Sequence, residues 1–246
     1  MPTSQKHRGK HPKDDELFSG SNLDPVRLAV GELSWLLSRG YSGKSALTLA
    51  GDRHRLAARQ RMAVERCACS NEARDVRKAK AVAIQDCRGE KIVVDGYNLL
   101  ITVECALSGG IILKGRDGAI RDIASVHGTY KRVEETTPAL SIISETLTEL
   151  GAAGVLFLLD APVSNSGRLK ALILDDKSLN SDNWEVMLLN NPDKMLAESD
   201  MVVVTSDSWV LDRCRRWLNL ASYIISRRIP DACVLDMEPE AVNGQS

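Results

Sequence analysis

Five short, continuous apolar runs in the second half of the chain constrain the fold more than any other feature. The first opens KIVVDGYNLL at Lys91; the others are VLFLLD (155–160), WEVMLL (184–189), MVVVTSD (201–207) and SYIIS (222–226). Runs this short, rich in Val, Ile and Leu and without polar alternation, read as strands buried on both faces. Helical stretches separate them, at 99–107, 138–150, 168–174 and 208–218. Strand and helix in alternation predict an α/β domain: a doubly wound parallel sheet with helices on both faces. One insertion breaks the rhythm. SGGIILKGRDGAIRDI (108–123) places two glycine punctuations around alternating residues, the pattern of a β-hairpin.

The front of the chain has another character. Residues 1–22 are rich in Lys, His, Ser, Gly and Asp with little to bury, and predict a mobile, disordered basic tail. Asp24-Pro25 then sets up a helix start, and Leu28, Val30, Leu33, Trp35, Leu36 and Leu37 follow as an apolar stripe ending near Gly40. The segments after it, to residue 88, are rich in Ala, Leu and Arg and free of proline. The expected organisation is a tail over 1–22, a small all-helical domain over 23–88, an α/β domain over 89–236 and a flexible tail over 237–246. A chain of 246 residues accommodates two such units.

The formal net charge of −1 conceals an asymmetry. Residues 1–90 hold 17 Lys and Arg against 11 Asp and Glu, and residues 91–246 hold 15 against 22. A basic front attracts a polyanion, while an acidic back can hold cations. Helix faces bearing Arg53, Arg55, Arg59, Arg61 and Arg66 can line a phosphate track or simply face solvent.

Several classes of function are excluded. No stretch approaches the roughly 18 apolar residues of a membrane span, and the polar N-terminus lacks the apolar core of a secretory signal, so a cytoplasmic protein is expected. His7, His11, His54 and His127 lie far apart, and of six cysteines only Cys67 and Cys69 are close, at C-x-C spacing. This argues for reduced structural thiols and against a zinc centre. GYSGKS (40–45) lacks the glycine spacing and preceding strand of a phosphate-binding loop. There is no G-x-S-x-G elbow, Gly96 stands alone after the first run, and Tyr97 occupies the second position of the D-x-D expected of an aspartyl phosphotransferase.

In open α/β sheets, ligands sit beyond the carboxyl ends of the strands. Here those ends carry carboxylates. Asp95 closes the first run, Asp160 closes the second, and Asp207 follows the fourth in Thr205-Ser206-Asp207; Asp193 and Asp200, in NNPDKMLAESD, precede that fourth run. A single aspartate in such a place serves equally as a helix cap or turn residue. Three together repel one another at low dielectric unless protons or a hard cation offset their charge. Oxygen-only ligands suit Mg2+ or Mn2+, and one or two such ions can activate water and stabilise a phosphodiester displacement.

At these residues a resemblance emerges. VVDGYNLL, LLDAPVSNSG, the aspartate of NNPDKML and VVVTSD, over about residues 88–230, resemble the acidic signature of the PIN-like and NYN superfamily of metal-dependent nucleases. More narrowly, SRGYSGKSALTLAGDRHRLAARQRMAVERCACS with VVDGYNLLITVECALSGG and DAPVSNSGRL is similar to a group of largely archaeal proteins that join a small helical domain to a PIN-like domain. The resemblance implies a sheet of about five strands in the order 3-2-1-4-5. It implies that Asp95, Asp160, Asp193 and Asp207 gather at the carboxyl edge around Mg2+ or Mn2+. It also implies an acidic residue on a central helix, for which Glu104, Asp117 and Asp122 are all eligible; Asp200 is a further candidate ligand.

Neutral residues nearby have two readings each. Asn98 can orient a ligand carboxylate or a water, or cap the following helix. Ser164-Asn165-Ser166-Gly167 leads into a helix near Arg168, so this loop can hold a phosphate at a helix N-terminus or be an ordinary capped loop. Ser206 can support Asp207 or cap the next helix. The resulting expectation is a divalent-metal-dependent endoribonuclease whose partner is nucleic acid, RNA in the first place. Its rivals are a non-enzymatic nucleic-acid-binding or assembly module and a hydrolase of a small phosphorylated metabolite. With aromatics at 4%, phosphate contacts rather than base stacking would dominate binding. No membrane partner is expected, and a homo-oligomer is compatible with the sequence.

Overall fold

Residues with high helix propensity fold the front of the chain into α1 (Asp14–Leu17), α2 (Leu23–Leu37), α3 (Gly43–Arg53), α4 (Ala58–Cys67) and α5 (Asn71–Lys80). α2 starts one residue before Asp24, leaving Pro25 in the first turn, where a missing N–H costs nothing. Its buried Val26, Ala29, Val30, Leu33 and Leu36 keep helical spacing. Then follow β1 (Lys91–Asp95), α6 (Gly96–Leu107), β2 (Ile111–Lys114), β3 (Ile120–Asp122), α7 (Thr136–Glu149), β4 (Gly154–Asp160), α8 (Ser166–Asp175), β5 (Trp184–Leu189), α9 (Pro192–Glu198), β6 (Val202–Val204), α10 (Ser208–Arg213), α11 (Leu220–Arg228) and β7 (Cys233–Asp236). This computed structural model describes residues 6–124, 130–175 and 183–239. His127, the first five residues of the expected N-terminal tail and residues 240–246 of the C-terminal one lie outside them.

Four of the five apolar runs form one parallel sheet in the order β5-β4-β1-β6, with Ile92 level with Val155 and Val202. Counted by run, the order is 3-2-1-4. Alternate residues face opposite ways. Ile92, Val94, Phe157 and Leu159 meet side chains of α6, α7, α8 and α11, while Val93, Leu158 and Val203 meet α9, α10 and Trp217. The sheet is thus covered on both faces, which is why its strands read as unbroken apolar runs.

Two expectations about these elements need correction. The fifth run, SYIIS, is helical: it lies in α11, whose Leu220, Ala221, Ile224 and Ile225 are buried at helical spacing. The helix expected over 208–218 stops at Arg213, because Trp217 bridges to Val203 and Ala81 and its indole N–H donates to the Arg77 carbonyl at 2.7 Å. The hairpin exists, with Ile112 opposite Asp122, but β2 also pairs in parallel with β7, so the two hairpin strands belong to a separate sheet of order β3-β2-β7.

The expected mobile tail is packed from residue 6 onward. Arg8 is buried with its Nε 2.7 Å from Glu104 Oε2, and buried Asp14 is held by Arg59. Charged residues that look solvated in sequence are buried here because each meets a distant opposite charge. The front helices likewise share their interior: Val26, Val30, Leu33, Ala63 and Val64 pack with Ile111, Leu113, Ile123 and Met237. Among the described residues no helix is long and apolar enough to cross a membrane.

Candidate active site

The strand order places a switch point between β1 and β6. From β1 the chain winds outward through β4 to β5 and then returns to the other side of β1 as β6, and in such sheets a crevice opens at the carboxyl ends there. Asp95 is the last residue of β1, and β6 runs directly into Thr205-Ser206-Asp207. Asp160 closes β4, and Asp193 lies in the first turn of α9, just after β5. All four aspartates line one open cleft of about 490 Å3.

Hydrogen bonds hold two of them. The Thr205 hydroxyl donates to Asp95 Oδ2 at 2.8 Å, and the Asp207 N–H donates to Thr205 Oγ1 at 3.0 Å. Asp207 Oδ1 accepts the Val210 N–H at 3.0 Å and caps α10. Asn98 lines the same cleft, and rather than capping α6 its Oδ1 accepts both the N–H and the hydroxyl of Ser206, each at 2.9 Å, tying the end of β6 to α6. Ser206 is therefore committed to Asn98 rather than to Asp207. Thr205, which orients Asp95, carries no sequence signal beyond its place between an apolar run and an aspartate.

The electrostatics separate these aspartates from the rest. Burial pushes the Asp95 carboxyl up to about 7, the Thr205 hydrogen bond opposes this, and the charges of Asp193 and Asp207 add to the rise. Burial, then Asp207 and Asp160, raises Asp193; burial raises Asp160. None of the four has an ion-pair partner among the described residues. By contrast, Asp14, Asp117, Asp122 and Asp200 each face an arginine.

The other eligible acids are accounted for by those partners. Glu104 is fully buried, accepting from Arg8, Tyr130 and Thr136, and does not line the cleft. Burial would raise the Asp117 carboxyl, but Arg121 and then Arg77 outweigh it and hold the group at about 2. Asp200 pairs with Arg215 at 2.6 Å on the surface. Asp122 does line the cleft, with Oδ2 taken by the Thr102 hydroxyl and Oδ1 by the Ala124 N–H and Arg66. Among the described residues, no three carboxylate, imidazole or thiolate groups stand close enough together to hold an ion between them.

Two further residues complete the cleft. Tyr97 lines it and is more than nine-tenths buried; its hydroxyl has no hydrogen-bond partner among the described residues, and burial, with the nearby Asp160 charge, pushes the phenol up to about 12. Arg66 of α4 reaches the cleft from the front helices, donating to the carbonyls of Asp122 and Ala124. Of the arginines read as a phosphate track, Arg53, Arg59 and Arg61 are instead paired with Glu32, Asp14 and Asp52. The Ser164–Arg168 loop lies beside the cleft: Asn165 and Arg168 line a neighbouring cavity, and the Ser166 hydroxyl donates to the Ala161 carbonyl.

A family model described as a domain of unknown function (DUF5616) matches residues 84–223. The chain belongs to the DUF5616 family. A second model, described as a protein of unknown function (DUF434), matches residues 26–80. An uncharacterized protein of Methanocaldococcus jannaschii, MJ0935, is 31% identical over 186 residues, covering 76% of this chain and 88% of its own length. No solved structure matches the chain. The DUF5616 region holds all four cleft aspartates and Tyr97, while the DUF434 region holds Arg66.

Proposed function

We propose that this DUF5616 protein is a divalent-metal-dependent endoribonuclease of the PIN-like kind, acting at the cleft between β1 and β6. One observation carries the reading: Asp95, Asp160, Asp193 and Asp207 line a single cleft without a cationic partner among the described residues, where burial first, and then the charges of Asp193 and Asp207, raise Asp95 to about 7. The all-oxygen donor set fits Mg2+ or Mn2+, which would neutralise the carboxylates and polarise a phosphoryl oxygen. Because no three carboxylates are close enough to share an ion, the fit is to one that keeps most of its water and uses one or two protein oxygens. The run order 3-2-1-4 and the sequence resemblance support the PIN-like assignment. Free thiols at all six cysteines suit a reducing, cytoplasmic setting.

The chain's own groups supply the remaining chemistry. Asp95, oriented by Thr205, would hold the hydrated ion, and its carboxylate can accept a hydrogen bond from the attacking water. Tyr97 stays protonated and has an unused hydroxyl to offer an oxyanion. Arg66 can meet a phosphate from the opposite wall. The open form of the cleft favours a polymer over a small phosphorylated metabolite.

Incubation of the EDTA-treated protein with structured and single-stranded RNAs tests this. Cleavage is expected on adding Mn2+ or Mg2+. Asp95→Asn should lower the rate about a hundredfold or more, and Tyr97→Phe should lower it about tenfold without loss of folding. Cleavage unchanged by Asp95→Asn overturns the assignment. A second reading, a non-enzymatic nucleic-acid-binding module, is favoured by the lack of a closed carboxylate triad among the described residues; RNA binding without cleavage in either metal would select it.

A further inference from the structure

A second cavity, of about 420 Å3, adjoins the acidic cleft. Its lining includes Lys131, Arg132 and Arg168 and, among the described residues, no acidic side chain. Arg132 donates to the Thr137 hydroxyl at 3.0 Å, while Lys131 and Arg168 have no carboxylate partner among the described residues. Arg8, Arg59, Arg77 and Arg121 each sit against a carboxylate, so their charge is already balanced, whereas these exposed cations share one concavity. Uncompensated cations around a concavity concentrate positive potential there and attract an anion.

The wall between the two sites is defined. Tyr97 lines the cleft and Tyr130 lines the cavity, and their rings pack with centroids 5.4 Å apart. The loop after Asp160 forms a common rim: Val163 faces the cleft, Asn165 faces the cavity, and the Asn165 side-chain amide donates to the Tyr130 carbonyl at 2.9 Å. A strand with one phosphate at the aspartates can run over this shared rim towards the cations.

We infer that the Lys131–Arg132–Arg168 cavity is a phosphate subsite that grips single-stranded RNA alongside the acidic cleft. The proposal rests on the nucleic-acid reading of that cleft, but not on cleavage. Four carboxylates repel a polyanion, and the adjoining cations offset that repulsion. Half-buried Leu172, with Tyr130 and Leu169 buried behind the lining, gives the cavity an apolar side against which a ribose or an unpaired base can lie, which a duplex does not offer.

The test is fluorescence anisotropy of a fluorescein-labelled single-stranded oligoribonucleotide in EDTA, over KCl from about 50 to about 300 mM. Each phosphate contact on a single strand contributes about 0.7 to the slope of log affinity against log salt. Lys131→Gln combined with Arg168→Gln should lower that slope by about 1.4 and weaken low-salt binding about tenfold. Lys44→Gln, an exposed change on α3, should leave both unaltered. A double variant that keeps the parental slope and affinity overturns the subsite, as does an equal loss from Lys44→Gln or a parent that does not bind. Cleavage is scored separately. A parent that binds through the cavity but never cuts in Mn2+ retains the subsite and loses the nuclease, whereas Asp95-dependent cutting with an unchanged slope does the reverse.

Discussion

Asp95 carries a charge that the fold leaves without an arginine. In the unfolded chain it ionises near pH 4, whereas in the folded protein it holds its proton to about 7. Between those values folding takes up a proton, so stability contributed by this group is full below about pH 4, falls as pH rises towards 7 and is lost above. Asparagine has no proton to take up. The stability of Asp95→Asn relative to the parent should therefore grow from about pH 4 to about pH 7, by up to roughly 4 kcal/mol, and stay level at higher pH. Thermal melts in EDTA at pH 5, 6, 7 and 8 measure the difference, and a constant offset across the series refutes the account. Millimolar Mn2+ at pH 7.5 should raise the Tm of the parent and leave that of Asp95→Asn nearly unmoved, since an ion that binds only the folded state stabilises it by mass action.

The start of α6 against β4 sets where Asp95 and Asn98 stand, and a single glycine permits it. A Cβ at Gly96 would lie 2.6 Å from Leu159 Cδ2 and 2.9 Å from the Leu158 carbonyl oxygen. The carbonyl belongs to a central strand and has no room to retreat. Alanine's helix-propensity advantage of up to about 1 kcal/mol is outweighed by an overpacking cost of about 1–3 kcal/mol. Gly96→Ala should thus lower the urea midpoint and slow RNA cleavage by displacing the Asn98–Ser206 tie; a midpoint at or above the parent's argues against this close approach. What the sequence could reveal at this scale depended on length and burial. Unbroken apolar runs such as IVV-D and VLFLLD mark two-faced strands, and their ends mark the aspartates. SYIIS fits either period within five residues, and only the wider spacing of Leu220, Ala221, Ile224 and Ile225 identifies a helix. β7 is four residues long, two half-buried and two exposed, and is too short to read from its sequence. Which acids are spoken for was also hidden, because Glu104 meets an arginine 96 residues away and Asp117 one 40 residues away.

The two family matches divide the chain between residues 80 and 84, but its interior is not divided there. Ile111, Leu113, Ile123 and Met237 pack among α2 and α4, so removing the front helices uncovers them. The same cut takes Arg77 from Asp117, leaving Arg121 alone to balance a buried carboxylate, and takes Arg8 from Glu104, which is then buried without a cation. Breaking a buried ion pair by removing one partner costs about 3–5 kcal/mol, a large share of the 5–15 kcal/mol that holds a typical domain together. A fragment of residues 84–239 should therefore lack a cooperative melt and bind ANS, while mixing it with a fragment of residues 6–83 should restore both the transition and the slope of RNA binding. The cleft needs the front helices for a second reason, since Arg66 on α4 forms part of its wall. If residues 84–239 alone melt cooperatively at the parental temperature, the shared core is refuted. If they do so and also cut RNA at the parental rate, Arg66 has no part in the chemistry.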